Sequence, residues 1–179
     1  DAWTEGVTDL PNAIEQEVQP LLLTAYSEPD TVPLGDIVAT GRTTIISPAK
    51  RIAAQCGNLR LLQHLHEHEF EWHENACIAA SFEGHLNCLR YAHEHGCQWN
   101  SSVHTAAAHN GHLNCMMYAF SQGLEWQVNV CQQAVLKGHL DCLQFAHENG
   151  CPWDNDTTEC AAQHGHVTCL QYALEQGCP

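Results

Sequence analysis

The chain has 179 residues, 44% of them hydrophobic, with 21 acidic against 6 basic side chains and a net charge of −15. That length and apolar share are enough to bury a sizeable core, while the negative field repels phosphate backbones and anionic lipids and argues against a nucleic-acid partner. The longest aliphatic run, Leu21 to Leu23, is far too short to span a bilayer, so membrane insertion is not expected.

Residues 1–46 show no repeating pattern. Leu10-Pro11 opens a predicted helix through Val18, Pro20 interrupts it, and Leu21 to Tyr26 extend it. Pro29 and Pro33 then break the chain before Ile37, Val38 and the run Thr43 to Ile46. We read this stretch as a partly helical N-terminal arm that caps the remainder of the chain. Its leucine-proline opening with spaced aliphatics distantly resembles an F-box, without that motif's basic, tryptophan-bearing end. The resemblance would imply a ubiquitin-ligase adaptor.

From residue 47 to 179 the chain repeats itself. Gly57, Gly84, Gly111, Gly138 and Gly165 recur every 27 residues, and the last four open nearly the same phrase, Gly-His-Leu-Asn-Cys in two copies and close variants in the others. A fixed period of about 20–50 residues marks one supersecondary unit that buries its apolar face only by stacking on copies of itself. With each glycine taken as position zero, Ala53, Ala80, Ala107, Ala134 and Ala161 stand at −4, as expected where two helices approach too closely for a larger side chain. Apolar residues at +2, +5 and +8 with an aromatic or histidine at +7 predict an amphipathic helix after the glycine. Gly96, Gly123, Gly150 and Gly177 at +12 read as its terminators, and Trp72, Trp99, Trp126 and Trp153 at +15 as loop anchors.

Each unit is therefore predicted to hold a first helix of about nine residues, a tight turn, a second helix of about eleven and a connecting loop. Ser47-Pro48 starts the first unit, and Asn100 with Ser101 and Asn155 with Asp156 are the expected caps of later ones. The first unit departs from the pattern, with Asn58 for histidine, Leu61 for cysteine and Glu69 for the closing glycine, as a terminal unit does. No unit carries the alternation of a strand, so the fold class is all-α, a helix-turn-helix solenoid of five repeats.

The stretch from Ala107 to Ala119, with Gly123 after it, resembles the ankyrin pattern: paired alanine, Gly-His-Leu, an apolar helix and a glycine twelve residues on. The period is shorter than the about 33 residues of that family, and the Thr-Pro-Leu-His start is absent, so the missing residues belong to the β-turn finger. Similar short arrays with a Gly-Cys-Pro-Trp loop, here Gly150 to Trp153, occur in single-celled eukaryotes and giant viruses. The resemblance implies a protein-binding scaffold with no cofactor.

Eleven cysteines invite a disulfide or metal reading. Cys88, Cys115, Cys142 and Cys169 share one position in successive units, where stacked helices lie about 8–10 Å apart, beyond the ~7 Å a disulfide allows. They are expected to be reduced, buried core residues in a reducing compartment, cytosolic or organellar after removal of a transit peptide. Cys97, Cys151 and Cys178 in loops, with Cys77, Cys131 and Cys160 on first helices, leave room for a bridge. His85 with Cys88, and its counterparts in later units, supply only half of a zinc site. The histidine at +1 is instead expected to bond backbone groups at the inter-helix turn, as in ankyrin units. His64 and His68 share a helical face, with His66 turned away. Glu67, Glu69, Glu71 and Glu74 read as a solvated ridge, the alternative being a docking patch for a basic partner.

Enzyme signatures are missing: there is no nucleophile elbow, phosphate loop, His-Glu-x-x-His or Cys-x-x-Cys. Recognition should fall on first-helix positions where the copies disagree. These are Phe82, His109, Leu136 and Gln163 at −2, Glu83, Asn110, Lys137 and His164 at −1, and Gln133 at −5, with Phe82 and Leu136 as apolar anchors. Two roles fit: an adaptor that captures a partner protein, or a permanent subunit of a large assembly such as an organellar one. Asp1 in place of methionine and an end just short of the next tryptophan lead us to expect that the natural chain continues or that another molecule covers the last unit.

Overall fold

The computed structural model describes residues 49–67, 71–73 and 75–178. The N-terminal arm, its F-box likeness, the Ser47-Pro48 start, His68, Glu69 and Glu74 lie outside them. Within the described residues there are ten α-helices and no strand: α1 Ala49–Gln55, α2 Leu59–Glu67, α3 Ala76–Phe82, α4 Leu86–Glu94, α5 Ser102–His109, α6 Leu113–Ser121, α7 Val130–Leu136, α8 Leu140–Glu148, α9 Asn155–Gln163 and α10 Val167–Glu175. Odd-numbered helices form one layer, even-numbered helices the other, and each odd helix pairs with the even helix next in the chain.

Both glycine rows end helices in the same way. At Gly84, φ is +78°, a conformation that costs a residue with a Cβ. It lets the N–H of Gly84 reach Ser81 O at 3.3 Å and that of His85 reach Ala80 O at 2.8 Å. This pair of bonds satisfies two carbonyls that the helix end would leave open. Gly96 and Cys97 repeat the device at the end of α4, bonding His93 O and Ala92 O. The even helices are nine residues long, two shorter than the sequence pattern led us to expect, because the chain has already turned into this motif before the +12 glycine.

Capping also differs in detail. Asn100 accepts from Ser102 N at 2.9 Å, but α9 is capped by Asp154, which accepts from Asp156 N at 3.1 Å, rather than by Asn155. The Asp154 backbone is extended there, as a capping residue requires.

The alanines at −4 lie at the helix–helix contact, between 0% and 1% exposed. Small side chains let the odd helices pack closely on one another, while the even helices stack more loosely. On the even helices the buried stripe runs +4, +5 and +8 (Cys88, Leu89 and Ala92 on α4). The leucine at +2 is only half-buried in the inner units, and Val167 in the last one is exposed. The cysteines at +4 are core residues: burial pushes the Cys88 and Cys115 thiols up to about 11 and, with Asp141 adding to it, Cys142 up to about 12. All eleven cysteines are free thiols.

Candidate functional site

Four of the residues singled out from the sequence come together at the C-terminal ends of α3, α5 and the middle of α7. Phe82, 38% exposed, lies in the last turn of α3. The ring of His109, one unit on, stacks against it with centroids 6.1 Å apart and planes 16° from parallel. His109 Nδ1–H in turn donates to Gln133 Oε1 of the next unit at 2.9 Å, the amide oxygen being the acceptor. Asn110 Nδ2 donates to the Phe82 carbonyl at 2.7 Å. An apolar ring, an imidazole and an amide thus make a continuous strip over three units, each holding the next in place.

The remaining candidates flank that strip without joining it. Leu136 is half-buried and packs against the core, so it is a weaker anchor than its offset promised. Glu83 and Lys137 are exposed. Gln163, the last residue of α9, and His164 just past it are exposed; Gln163 Nε2 donates to Glu159 Oε1 at 2.9 Å and His164 Nδ1–H to Cys160 O at 3.0 Å.

A row of histidines, His85, His112, His139 and His166, bears on the turn of the unit before it. Each ring lies flat on the glycine of the preceding unit: a Cβ built on Gly57, Gly84, Gly111 or Gly138 would come within 2.5–2.6 Å of it. His166 Nε2–H donates to Leu136 O at 3.2 Å, and His112 bonds the Phe82 backbone. Burial lowers the His112 pKa, and that bond opposes the shift. His112 and His166 therefore fasten the carbonyls at −2 of the preceding units, those of Phe82 and Leu136, from the next unit along.

A second set of cross-unit contacts was not foreseen. The residue at +9 of each inner unit, the tryptophan at +15 and the aromatic at +7 of the next unit converge. His93 stacks on Trp99 at 3.7 Å and pairs with Tyr118 OH at 2.9 Å. His147, Trp153 and Tyr172 repeat this at 3.7 Å and 3.0 Å, and Phe120, Trp126 and Phe145 form a version without a histidine. His66 belongs to the first such cluster: it stacks on Trp72 at 5.5 Å and bonds Lys50 Nζ at 3.2 Å. It is thus part of the packing, away from the face that carries His64. The offsets +7, +9 and +15 were each visible in the sequence, but their meeting depends on how far one unit is displaced from the next.

Among the described residues no three His, Cys, Asp or Glu side chains converge as metal ligands would, and no helix is long and apolar enough to cross a membrane. Compared by sequence, the chain matches no family model and no curated protein. Compared by fold, it is similar to the crystal structure of the human ASB11 ankyrin repeat domain, with a TM-score of 0.63 and 20% identity over 73% of this chain and 69% of that one. The tertiary structure is that of an ankyrin-type stack of helical hairpins.

Proposed function

We propose that this chain is a non-enzymatic scaffold that binds a partner protein along the strip Phe82–His109–Gln133, with Glu83, Asn110, Leu136 and Lys137 around it and Gln163 and His164 extending the same layer. One observation carries the reading. Side chains at positions that vary between units are locked into a single ordered surface across three of them, and ordering before contact lowers the entropic cost of binding. The imidazole, amide and phenyl groups offer stacking, hydrogen bonding and apolar contact, the mixture found at the centre of protein interfaces. The ankyrin-type fold supports the same class of role. Eleven free thiols suit a reducing compartment.

Site-specific photo-crosslinking tests it. A photoreactive phenylalanine analogue at Phe82 or Gln133 should give a discrete protein adduct, and one at Met117, exposed on α6, should not. Phe82→Ala should abolish the Gln133 adduct while leaving helicity unchanged. Adducts that form equally from Met117, or that survive Phe82→Ala undiminished, would refute the assignment. An adduct that co-purifies only with a very large complex would favour the permanent-subunit role.

A further inference from the structure

The three helices that carry the strip have an unusual composition. α3, α5 and α7 hold no Asp, Glu, Lys or Arg, in a chain with 21 acidic and 6 basic side chains. The odd helices on either side do carry charge: Lys50 and Arg51 on α1, Asp156 and Glu159 on α9. Along the strip itself charge appears only at the residues that follow the helices. Glu83 follows α3 and Lys137 follows α7, and both are exposed. Asn110 holds the same place after α5, and its Nδ2 is taken up by Phe82 O at 2.7 Å, which leaves Oδ1 to accept a bond. One edge of the strip therefore reads carboxylate, amide, ammonium over three successive units.

On the reading of the strip as the binding surface, on which this rests, we propose that the partner lays an extended segment along that edge. The segment has an arginine against Phe82 and Glu83, an Asp or Glu against Lys137, and uncharged residues between them.

Each part follows from the groups it meets. Phe82 and Glu83 are neighbours in the chain and offer a ring face beside a carboxylate, the pair that suits a guanidinium. Arginine stacks on aromatic rings and forks onto carboxylates, whereas the ammonium of lysine has no plane to stack and no fork. At the other end, Lys137 is the last basic residue of the sequence. A net charge of −15 repels an acidic group over most of the surface, so Lys137 is where the segment's carboxylate settles, and that fixes the direction in which the segment lies. Its middle is uncharged because α3, α5 and α7 offer no counter-ion, and a charge desolvated without one is costly. The length follows from the stacking. Glu83 and Lys137 are two units apart, stacked helices lie about 8–10 Å from each other, and an extended chain rises ~3.3 Å per residue, so the two charges of the segment stand about five or six residues apart.

Selection from a displayed library of linear peptides tests this, each with about twelve random residues so that both charges fit, on the immobilised full chain at pH 7.5 and low salt. The expected binders carry Arg and an Asp or Glu about five or six positions apart. Affinities of the synthetic binders are then read by fluorescence anisotropy, with circular dichroism to show that the surface variants are folded. Glu83→Lys should weaken a binder about tenfold, and exchanging its Arg for Glu should restore most of that loss. Lys137→Glu should behave in the same way toward the acidic residue, and Lys in place of the Arg should bind roughly threefold more weakly. Binders that Phe82→Ala abolishes but that carry no such charge pair, or that ignore both charge reversals, would overturn the proposed partner and leave the strip standing as a binding surface. Binders indifferent to Phe82→Ala as well would remove both. A selection that yields no binder also overturns the proposal, because a linear segment is its stated occupant.

Discussion

His104 should make this protein lose stability in mild acid by an amount that one substitution removes. It lies in α5, wholly buried, its ring 4.3 Å from that of Trp126, and neither ring nitrogen has a well-formed hydrogen bond. Burial brings its pKa from 6.5 down to about 4, and the Glu125 backbone offsets this only in part. The unfolded chain takes up a proton below pH 6.5, whereas the folded chain does so only near pH 4. Stability from this group is therefore fully present above pH 6.5 and drains away as the pH falls toward 4. The two values lie about 2.5 pH units apart, and each unit corresponds to ~1.36 kcal/mol, so about 3 kcal/mol is at stake.

The matching position holds Cys77 and Cys131 in the neighbouring units, so His104→Cys is a substitution the stack already accommodates. Urea denaturation monitored by circular dichroism, at pH 7.5 and 4.5 and low protein concentration, gives the difference between variant and wild type at each pH. That difference should move in the variant's favour by about 2.5 kcal/mol between the two conditions. Every other titrating group is common to both chains and cancels. A difference that changes by less than about 0.5 kcal/mol, within the error of such extrapolations, would mean that His104 is hydrated or partnered in solution and would refute the argument.

The same geometry leads to other outcomes. Gly138→Ala places a methyl 2.5 Å from His166 Nδ1 and breaks the seat of that ring, whereas Gly150→Ala meets nothing within 4 Å. Both suffer the positive-φ penalty of about 1–2 kcal/mol, so chemical denaturation should show Gly138→Ala to be the worse by at least ~1 kcal/mol. Ala134→Leu, at a fully buried contact between odd helices, should destabilise by about 1–3 kcal/mol through overpacking, measured as a shift in the urea midpoint. The histidines other than His104, thirteen of the fourteen, against a net charge of −15 should reduce repulsion between molecules as pH falls from 7.5 to 5.5. Static light scattering should rise over that interval, and a flat trace would contradict the charge argument.

Much of the architecture was legible in the sequence because it is local and repeated. The 27-residue period placed all five turns, the alanine row marked the tight layer, and the second glycine row marked the ends of the even helices. The burial of the +4 cysteines could also be read, since a thiol beside the core leucine of an amphipathic helix has nowhere else to go. The lengths of the even helices were misjudged because periodicity does not record where the closing motif begins. One cysteine pattern is hidden by a 27-residue comparison. Cys77 and Cys97 recur as Cys131 and Cys151 two units later, a 54-residue period visible only when alternate units are compared.

By itself, then, the sequence determined what each unit is: two short helices, a turn that demands a positive φ, and a stripe of small and apolar side chains that must be covered. Only the tertiary structure decided what one unit does to the next. Whether Phe82 meets His109, whether His109 reaches Gln133, and whether a histidine rests on its own glycine or its neighbour's depend on the shift and rotation between successive hairpins. Those quantities are set by how closely the alanine layer packs relative to the cysteine layer, a balance of side-chain volumes summed over many contacts. No single residue encodes that balance, so the surface it creates appears only once the units are stacked.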